Sequence, residues 1–418
     1  MIKDRDAIYE VLEKAGINTS VRKMLCPHCD HKSVTARPDW GFAKCWHCDA
    51  KWSVRADARS ASRDWGTYVI AEIARVSQEA LHHEKKGEIC LPMEAWIAWR
   101  GLNDSHDWLI EHDLGALIGM TQHLPDIMTR GKELYEAWAK SKKEEQANLE
   151  LAVPAARGKE KARLNNALSF LIAEMTLERD AFDHFMNHIL PSLMKPEWKG
   201  SCVYIYRDEN GVHTSLNIRQ FAGEGVDRKN KKVMRIQPRM EKRGLFGVQQ
   251  ALFDVGKGWE PEDRIPEYIV VEGEHNQLAL CYASEQWADD YEMHLPVVAV
   301  GGKQGADILA LKALCGDEQP LVIFDNDKIN SETGYPGGFD LVRDIAKFMY
   351  CTACSTADYY SGSTSAKDID DLISDFYEES RTFGYNDFLE IISHRRFVRM
   401  AIETVADKVA AVLNERSI

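Results

Sequence analysis

At 418 residues and 44% hydrophobic composition the chain has material for two to four packed domains. No run approaches the roughly eighteen consecutive apolar residues of a membrane span, and the opening MIKDRDAIYEVLEK lacks the apolar core of a secretory signal. Ten cysteines, four of them in a metal-binding spacing, fit reduced thiols, so a cytoplasmic protein with no membrane partner is expected. The net charge of −14 argues against a polyanionic partner only as an average. Val21 to Ser60 carries eight Lys/Arg against four Asp/Glu, Ser201 to Gly247 ten against five, and Trp259 to Glu292 one against ten. Two basic segments flanking an acidic one suit a protein that holds a polyanion beside a metal site, although solvated surface produces the same counts.

Asp4 to Ala15 reads as a short amphipathic helix. Next come Cys26 and Cys29, then Cys45 and Cys48, two C-x-x-C knuckles fifteen residues apart. That spacing places four thiolates around a tetrahedral, structural Zn²⁺ with a hairpin between them, a zinc ribbon over residues 1–60. His28, His31 and His47 are read as surface or outer residues. Trp46 is assigned to the small core, while Trp40 and Trp52, with Lys44, Lys51 and Arg55, offer either core packing or stacking on a single strand. Residues 61–198 form a helical module, with apolar residues at three- and four-residue steps over Thr67 to Leu81, Met93 to Arg100, Gly131 to Glu150 and Lys161 to Ile189. Its tryptophans, including Trp96, Trp99, Trp108 and Trp138, are read as packing residues.

From Ser201 the texture alternates like two strands around a turn at Asp208 to Gly211, opening a basic segment over residues 199–262. Arg219, Arg235 and Arg243 are the stronger candidates among these bases, whereas Lys229 to Lys232 reads as a solvated loop. Residues 263–380 then alternate short apolar strands with helices, the mark of a parallel α/β sheet. Ile269, Val270 and Val271 run into Glu272. Leu321 to Phe324 runs into Asp325, Asn326 and Asp327, and a strand beginning near Ala353 leads to Lys367, Asp368, Ile369, Asp370 and Asp371. Carboxylates gathered at strand ends repel one another unless a hard divalent cation sits among them, which points to Mg²⁺ or Mn²⁺ and to phosphoryl-transfer chemistry. Between the first two tips, Gly301 and Gly302 allow close backbone approach, and Lys303 is a candidate either to meet a phosphate or to pair with the acids. It is not a P-loop, and no other stretch carries that signature, so no helicase motor is expected in this chain. Tyr385 to Ile418 reads as amphipathic helices, the greater part of a C-terminal segment 381–418.

The order E-G, D-x-D, K-D-x-D over Glu267 to Leu372 resembles the Toprim domain of DnaG-type and phage primases, topoisomerases and some nucleases. The preceding zinc ribbon and basic hairpin stand in the same order as in DnaG-like primases, and the four-cysteine ribbon is closer to phage primase-helicases. The resemblance implies a multidomain α+β and α/β protein: zinc ribbon, helical module, then a primase-like core with an α/β Toprim domain. It also implies synthesis of short RNA primers on single-stranded DNA from ribonucleoside triphosphates, in bacterial or phage-infected host cytoplasm, with a replicative helicase acting in trans. Glu272, Asp325, Asp327, Asp368 and Asp370 become the catalytic carboxylates, the first four as magnesium ligands. Two Mg²⁺ would polarise the incoming triphosphate and lower the pKa of the primer hydroxyl. Asn276 departs from the pattern, standing where these primases usually carry another metal-binding aspartate, and Glu274 is the nearest substitute. A Toprim nuclease and a non-catalytic zinc-bearing DNA-binding or helicase-loading protein remain as alternatives.

Overall fold

The computed structural model describes residues 64–82, 106–118, 120–195, 198, 200–220, 233–239, 243–255, 267–291, 294–302, 306–329, 331, 336–356, 366–378 and 381–398. Of the first 53 residues it describes 9, 12–13, 17–19, 24–27, 31–32, 34–37, 42–45 and 51–53. Two compact units emerge. The first comprises Met1–Met93, Leu114–Ile205 and His213–Lys242, and the second Glu94–Asp113, Tyr206–Val212 and Arg243–Ile418.

In the first unit, β1 (Val34–Arg37), β2 (Phe42–Cys45) and β3 (Lys51–Ser53) form a small antiparallel sheet. Its core holds Leu12, Ile17, Met24, Cys26, Val34, Ala43 and Cys45. A larger core follows, built from helix α1 (Trp65–His82), strand β4 (Leu114–Ala116), the long helices α2 (Met120–Ala155) and α3 (Gly158–His184), and strands β5 (Cys202–Arg207), β6 (His213–Arg219) and β7 (Val233–Ile236). Trp65, Ile70 and Ile73 of α1, Leu124 and Ile127 of α2, and Phe182 of α3 pack with Val203, Ile205, Leu216, Ile218 and Ile236 of the strands. The helical stretch and the basic hairpin therefore share one apolar interior. The hairpin turn is set by Asp208, whose Oδ1 accepts from the backbone N–H groups of Asn210 and Val212.

Arg239 fastens this interior from outside. Its guanidinium donates to Asp64 and Glu178 and lies over the Trp65 ring, whose Nε1 also donates to Glu178. Burial alone would raise the Asp64 pKa, but hydrogen bonds and charge from Arg239, with help from Thr67, outweigh it and bring the carboxyl down to about 2. Arg239 lies in the basic segment, yet its charge is committed to holding helices α1 and α3.

The second unit is an α/β sheet. Its elements are β8 (Leu245–Phe246), α4 (Val248–Asp254), β9 (Ile269–Val271), α5 (Glu274–Tyr291), β10 (Val297–Ala299), α6 (Ile308–Cys315), β11 (Leu321–Phe324), α7 (Phe339–Ala346), β12 (Cys351–Ser355), α8 (Ile369–Glu378), α9 (Tyr385–Ser393) and β13 (Arg396–Val398). The strand order is β13-β12-β11-β9-β10-β8, with β10, β9, β11 and β12 parallel and β8 and β13 antiparallel at the flanks. Three of the parallel strands, β9, β10 and β11, are short all-apolar runs such as Ile269–Val271 and Val297–Ala299, as expected of strands covered on both faces. The segment expected to be helical after Tyr385 also contains β13. Arg396, Phe397 and Val398 hydrogen-bond along β12 and so close an edge that would otherwise expose unpaired backbone groups. Among the described residues no helix is long and apolar enough to cross a membrane.

Candidate functional site

The chain leaves β9 through α5 to β10 on one side, then passes back to β11 on the other side of β9. The neighbours β9 and β11 thus flank the point where strand order reverses, and the crevice beyond the carboxyl ends of such strands is where open α/β sheets bind ligands. Glu272 follows the last residue of β9, and Asp325 the last residue of β11. In this register Val271 stands opposite Ile323, so Glu272 falls beside Phe324 and Asp325 one residue beyond, and the two acids leave neighbouring strand ends.

Each acid is held by the backbone that carries it. The Gly302 N–H donates to the Glu272 carbonyl at 2.9 Å, which folds the turn after β10 over the tip of β9. Gly301 has φ +75°, and a Cβ there would lie 2.5 Å from the Tyr206 hydroxyl. That hydroxyl donates to Glu274 at 2.7 Å. Glu274, the substitute expected for a missing aspartate, is buried in this contact. Asp325 is braced by Gly338: a Cβ at that position would sit 2.8 Å from the Asp325 nitrogen and closer still to its carbonyl oxygen. The Asn326 N–H donates to the Lys367 carbonyl at 2.6 Å, tying the β11 tip to the segment that bears Asp368 and Asp370.

Asn276 occupies the middle of this arrangement. Its Nδ2 donates to Asp325 Oδ1 at 3.2 Å, and its Oδ1 accepts a long bond, 3.4 Å, from the Asp370 backbone N–H. A carboxylate needs a donor and an N–H needs an acceptor, so this amide orientation matches both partners. At the position where an acid is expected from the sequence, this chain has a neutral group that clasps two acid-bearing segments.

The electrostatics follow. Burial pushes the Asp325 carboxyl up to about 8, with Glu272, Asp368 and Asp327 adding to the rise and Lys367 opposing it. Lys367 Nζ lies 3.3 Å from Asp327 Oδ1. Burial works against the lysine's charge, but Asp327, Asp325 and Asp368 together raise its pKa. Asp368, Asp370 and Asp371 can bring one oxygen each within 4.8 Å of one another. Asp370 and Asp371 lie in the first turn of α8, where the helix dipole favours negative charge. Burial first, and the three other acids after it, hold the Asp325 carboxyl above the usual carboxylate range, and the site gathers four carboxylates, Glu272, Asp325, Asp327 and Asp368, against the single cation Lys367 among the groups that act on Asp325. That donor set, all oxygen, fits Mg²⁺ or Mn²⁺.

Of the residues singled out in the sequence, Glu272, Asp325, Asp327, Asp368 and Asp370 come together at this end of the sheet. Asp371, Asn276, Tyr206 and Gly338 join them, and only the G-G step after D-x-D hints at Gly338 in advance. Arg243 lies in the same unit, its backbone N–H held by Asp307, which also caps α6. Arg219 and Arg235 lie in the first unit on paired strands: Asn217 stands opposite Arg235, so both arginines share one sheet face, and Arg219 sits over the Tyr204 ring. Cys26 and Cys45 are fully buried in the small antiparallel sheet, where thiolates can enter a zinc shell. Cys29, Cys48 and Lys303 lie outside the described residues.

No family model and no curated protein matches the sequence. Among solved structures, the Aquifex aeolicus primase (zinc-binding and RNA polymerase domains) is similar at 13% identity and a TM-score of 0.46, over 95% of this chain and 87% of that one. The E. coli primase catalytic core aligns at 12% identity and 0.39, over 79% and 80%. The RNA polymerase domain of Mycobacterium tuberculosis primase DnaG in complex with double-stranded DNA aligns at 12% and 0.40, over 81% and 82%. At these scores the likeness is loose.

Proposed function

We propose that this chain is a DNA primase, a nucleotidyltransferase that makes short RNA primers on single-stranded DNA. The observation that carries the reading is the crowding of Glu272, Asp327 and Asp368 around a buried Asp325 at the switch point of a parallel sheet. In this reading Glu272, Asp325, Asp327 and Asp368 hold the divalent cations, with Asp370 beside them. Bound Mg²⁺ supplies Lewis-acid stabilisation of the triphosphate and of the attacking hydroxyl. The chain's own residues set the geometry: Asn276 joins the β11 tip to the K-D-x-D segment, Gly338 fixes the Asp325 backbone, and Lys367 holds Asp327. Arg219, Arg235, Arg243 and Lys303 neutralise phosphates of template and nucleotide, and Cys26, Cys29, Cys45 and Cys48 hold a structural Zn²⁺ in a template-binding ribbon. The acidic α/β unit is a Toprim domain, the protein works in the cytoplasm, and a replicative helicase is its partner in trans.

The test is incubation with single-stranded DNA, four ribonucleotides and Mg²⁺ or Mn²⁺, beside an Asp325→Ala control. Short labelled RNA that disappears in the control supports the proposal. Shortened DNA in place of RNA makes the chain a nuclease. One observation favours a second reading: Asn276 lowers the negative charge of the site by one, so DNA binding without either reaction makes this a non-catalytic DNA-binding protein.

A further inference from the structure

Helices α2 and α3 extend well past the core of the first unit. The last buried residue of α2 is Gly131, which leaves 24 further residues, about 36 Å of helix at 1.5 Å per residue. A groove of about 620 Å³ runs between the two helices just beyond that core. Its wall begins with an aromatic ladder, Tyr135 stacked on Phe182 at 4.0 Å and on Trp138 at 5.9 Å, which leaves Trp138 half-buried at the outer end. Ile172 and Met175 add apolar lining, and three cations, Lys140, Lys143 and Arg179, face one carboxylate, Glu136.

The cations differ in availability. Lys142, beside them, is engaged by Glu174 and Glu145, and Arg179 by Asp180. Lys140 and Lys143 are exposed and make no ion pair among the described residues, and at a spacing of three they share one helix face. Trp138 to Lys143 spans about 8 Å of helix axis. At the far end of the same arm Arg157, Lys159, Lys161 and Arg163 are all exposed around the connection between the helices. A flat aromatic face beside bare cations, continued by a basic tip, in a protein of net charge −14, is complementary to a strand that offers base faces and phosphates.

We infer that the α2–α3 groove is a binding track for single-stranded nucleic acid, with a base stacked on Trp138 and phosphates at Lys140 and Lys143. This rests on the proposed handling of single-stranded DNA and adds to it a contact remote in sequence from the acidic site. The test uses the full chain and a labelled oligo(dT), with no added divalent metal, read by anisotropy across a salt series. The Lys140→Glu/Lys143→Glu variant should bind at least about tenfold more weakly, and its log K against log salt slope should be shallower by about 1.4, two phosphates on a single strand. Trp138→Leu should lose the quenching of tryptophan emission that accompanies binding. Unchanged affinity and slope in the lysine variant, with helix content equal to the parent, overturns the inference. Primer synthesis assayed on the parent chain separates it from the enzymatic reading: lysine-dependent binding in a parent that makes no primer leaves the track standing and removes the primase. Primer synthesis with lysine-independent binding does the reverse.

Discussion

Replacing Asp325 by asparagine removes one carboxylate from the crowded site while keeping its shape. In the wild type the folded pKa, about 8, lies above the ordinary 3.8. The stability associated with the neutral acid is therefore fully present below about 3.8 and is lost as pH rises through about 8. Integrated over that interval the loss is on the order of 5 kcal/mol. This is comparable with the whole stability of a typical domain, about 5–15 kcal/mol. The amide carries no charge to lose. In buffer without divalent metal the variant should therefore melt several degrees above the wild type near pH 9, and the two should converge near pH 4. Added Mg²⁺ should raise the wild-type melting temperature at high pH far more than the variant's, and primer synthesis should be abolished. Thermal melts followed by circular dichroism over a pH series read all of this except the synthesis. Parallel pH profiles for the two proteins would refute the reasoning, since they would place the charge burden elsewhere than Asp325.

Gly338→Ala should be at least as damaging to activity as loss of an acid, because the added carbon meets the Asp325 backbone; a gel assay of primer synthesis with a melting curve beside it checks this, and the cost in stability should exceed about 2 kcal/mol. Arg239→Ala leaves Asp64 and Glu178 without their shared partner and should cost about 2–4 kcal/mol in urea unfolding, with Arg239→Lys recovering only part. Asp64 adds a pH signature: its folded pKa of about 2 lies below the ordinary 3.8, so its contribution is present above about 3.8 and is lost as pH falls toward about 2, a loss that Arg239→Ala should erase. If the proposed ribbon holds zinc, the purified chain should carry one Zn²⁺ by mass spectrometry of the metal, and Cys45→Ser should abolish it and loosen the small sheet, whose core contains that thiol. Tyr206→Phe should leave Glu274 short of a buried donor and cost about 1–3 kcal/mol, read in the same unfolding experiment.

The strand tips are legible in the sequence because a buried parallel strand is a short apolar run, and Ile269–Val271 and Leu321–Phe324 each end abruptly in an acid. Strand order is not legible by that route. Only the pairing of β9 with both β10 and β11 shows that Glu272 and Asp325 flank the reversal. Asn276 is visible as a departure from a pattern, but its bonds to Asp325 and Asp370 join residues 49 and 94 positions away, beyond any local rule. Arg239 reads as one more base in a basic segment, and its partners Asp64 and Glu178 lie 175 and 61 residues off. The strand Arg396–Val398 is three residues long, too short to display a period.

The crossing of the chain at β9 also has a temporal meaning. Glu272 and Asp368 are separated by nearly a hundred residues, and the acids meet only when β9, β11 and the segment after β12 have all found their places. Contacts of such long range form late and slowly in folding. A chain halted as a partly ordered intermediate would own every carboxylate yet have no cluster in which to trap a cation. In the proposed reading, metal uptake would thus report completion of the sheet, keeping unfinished chains chemically silent.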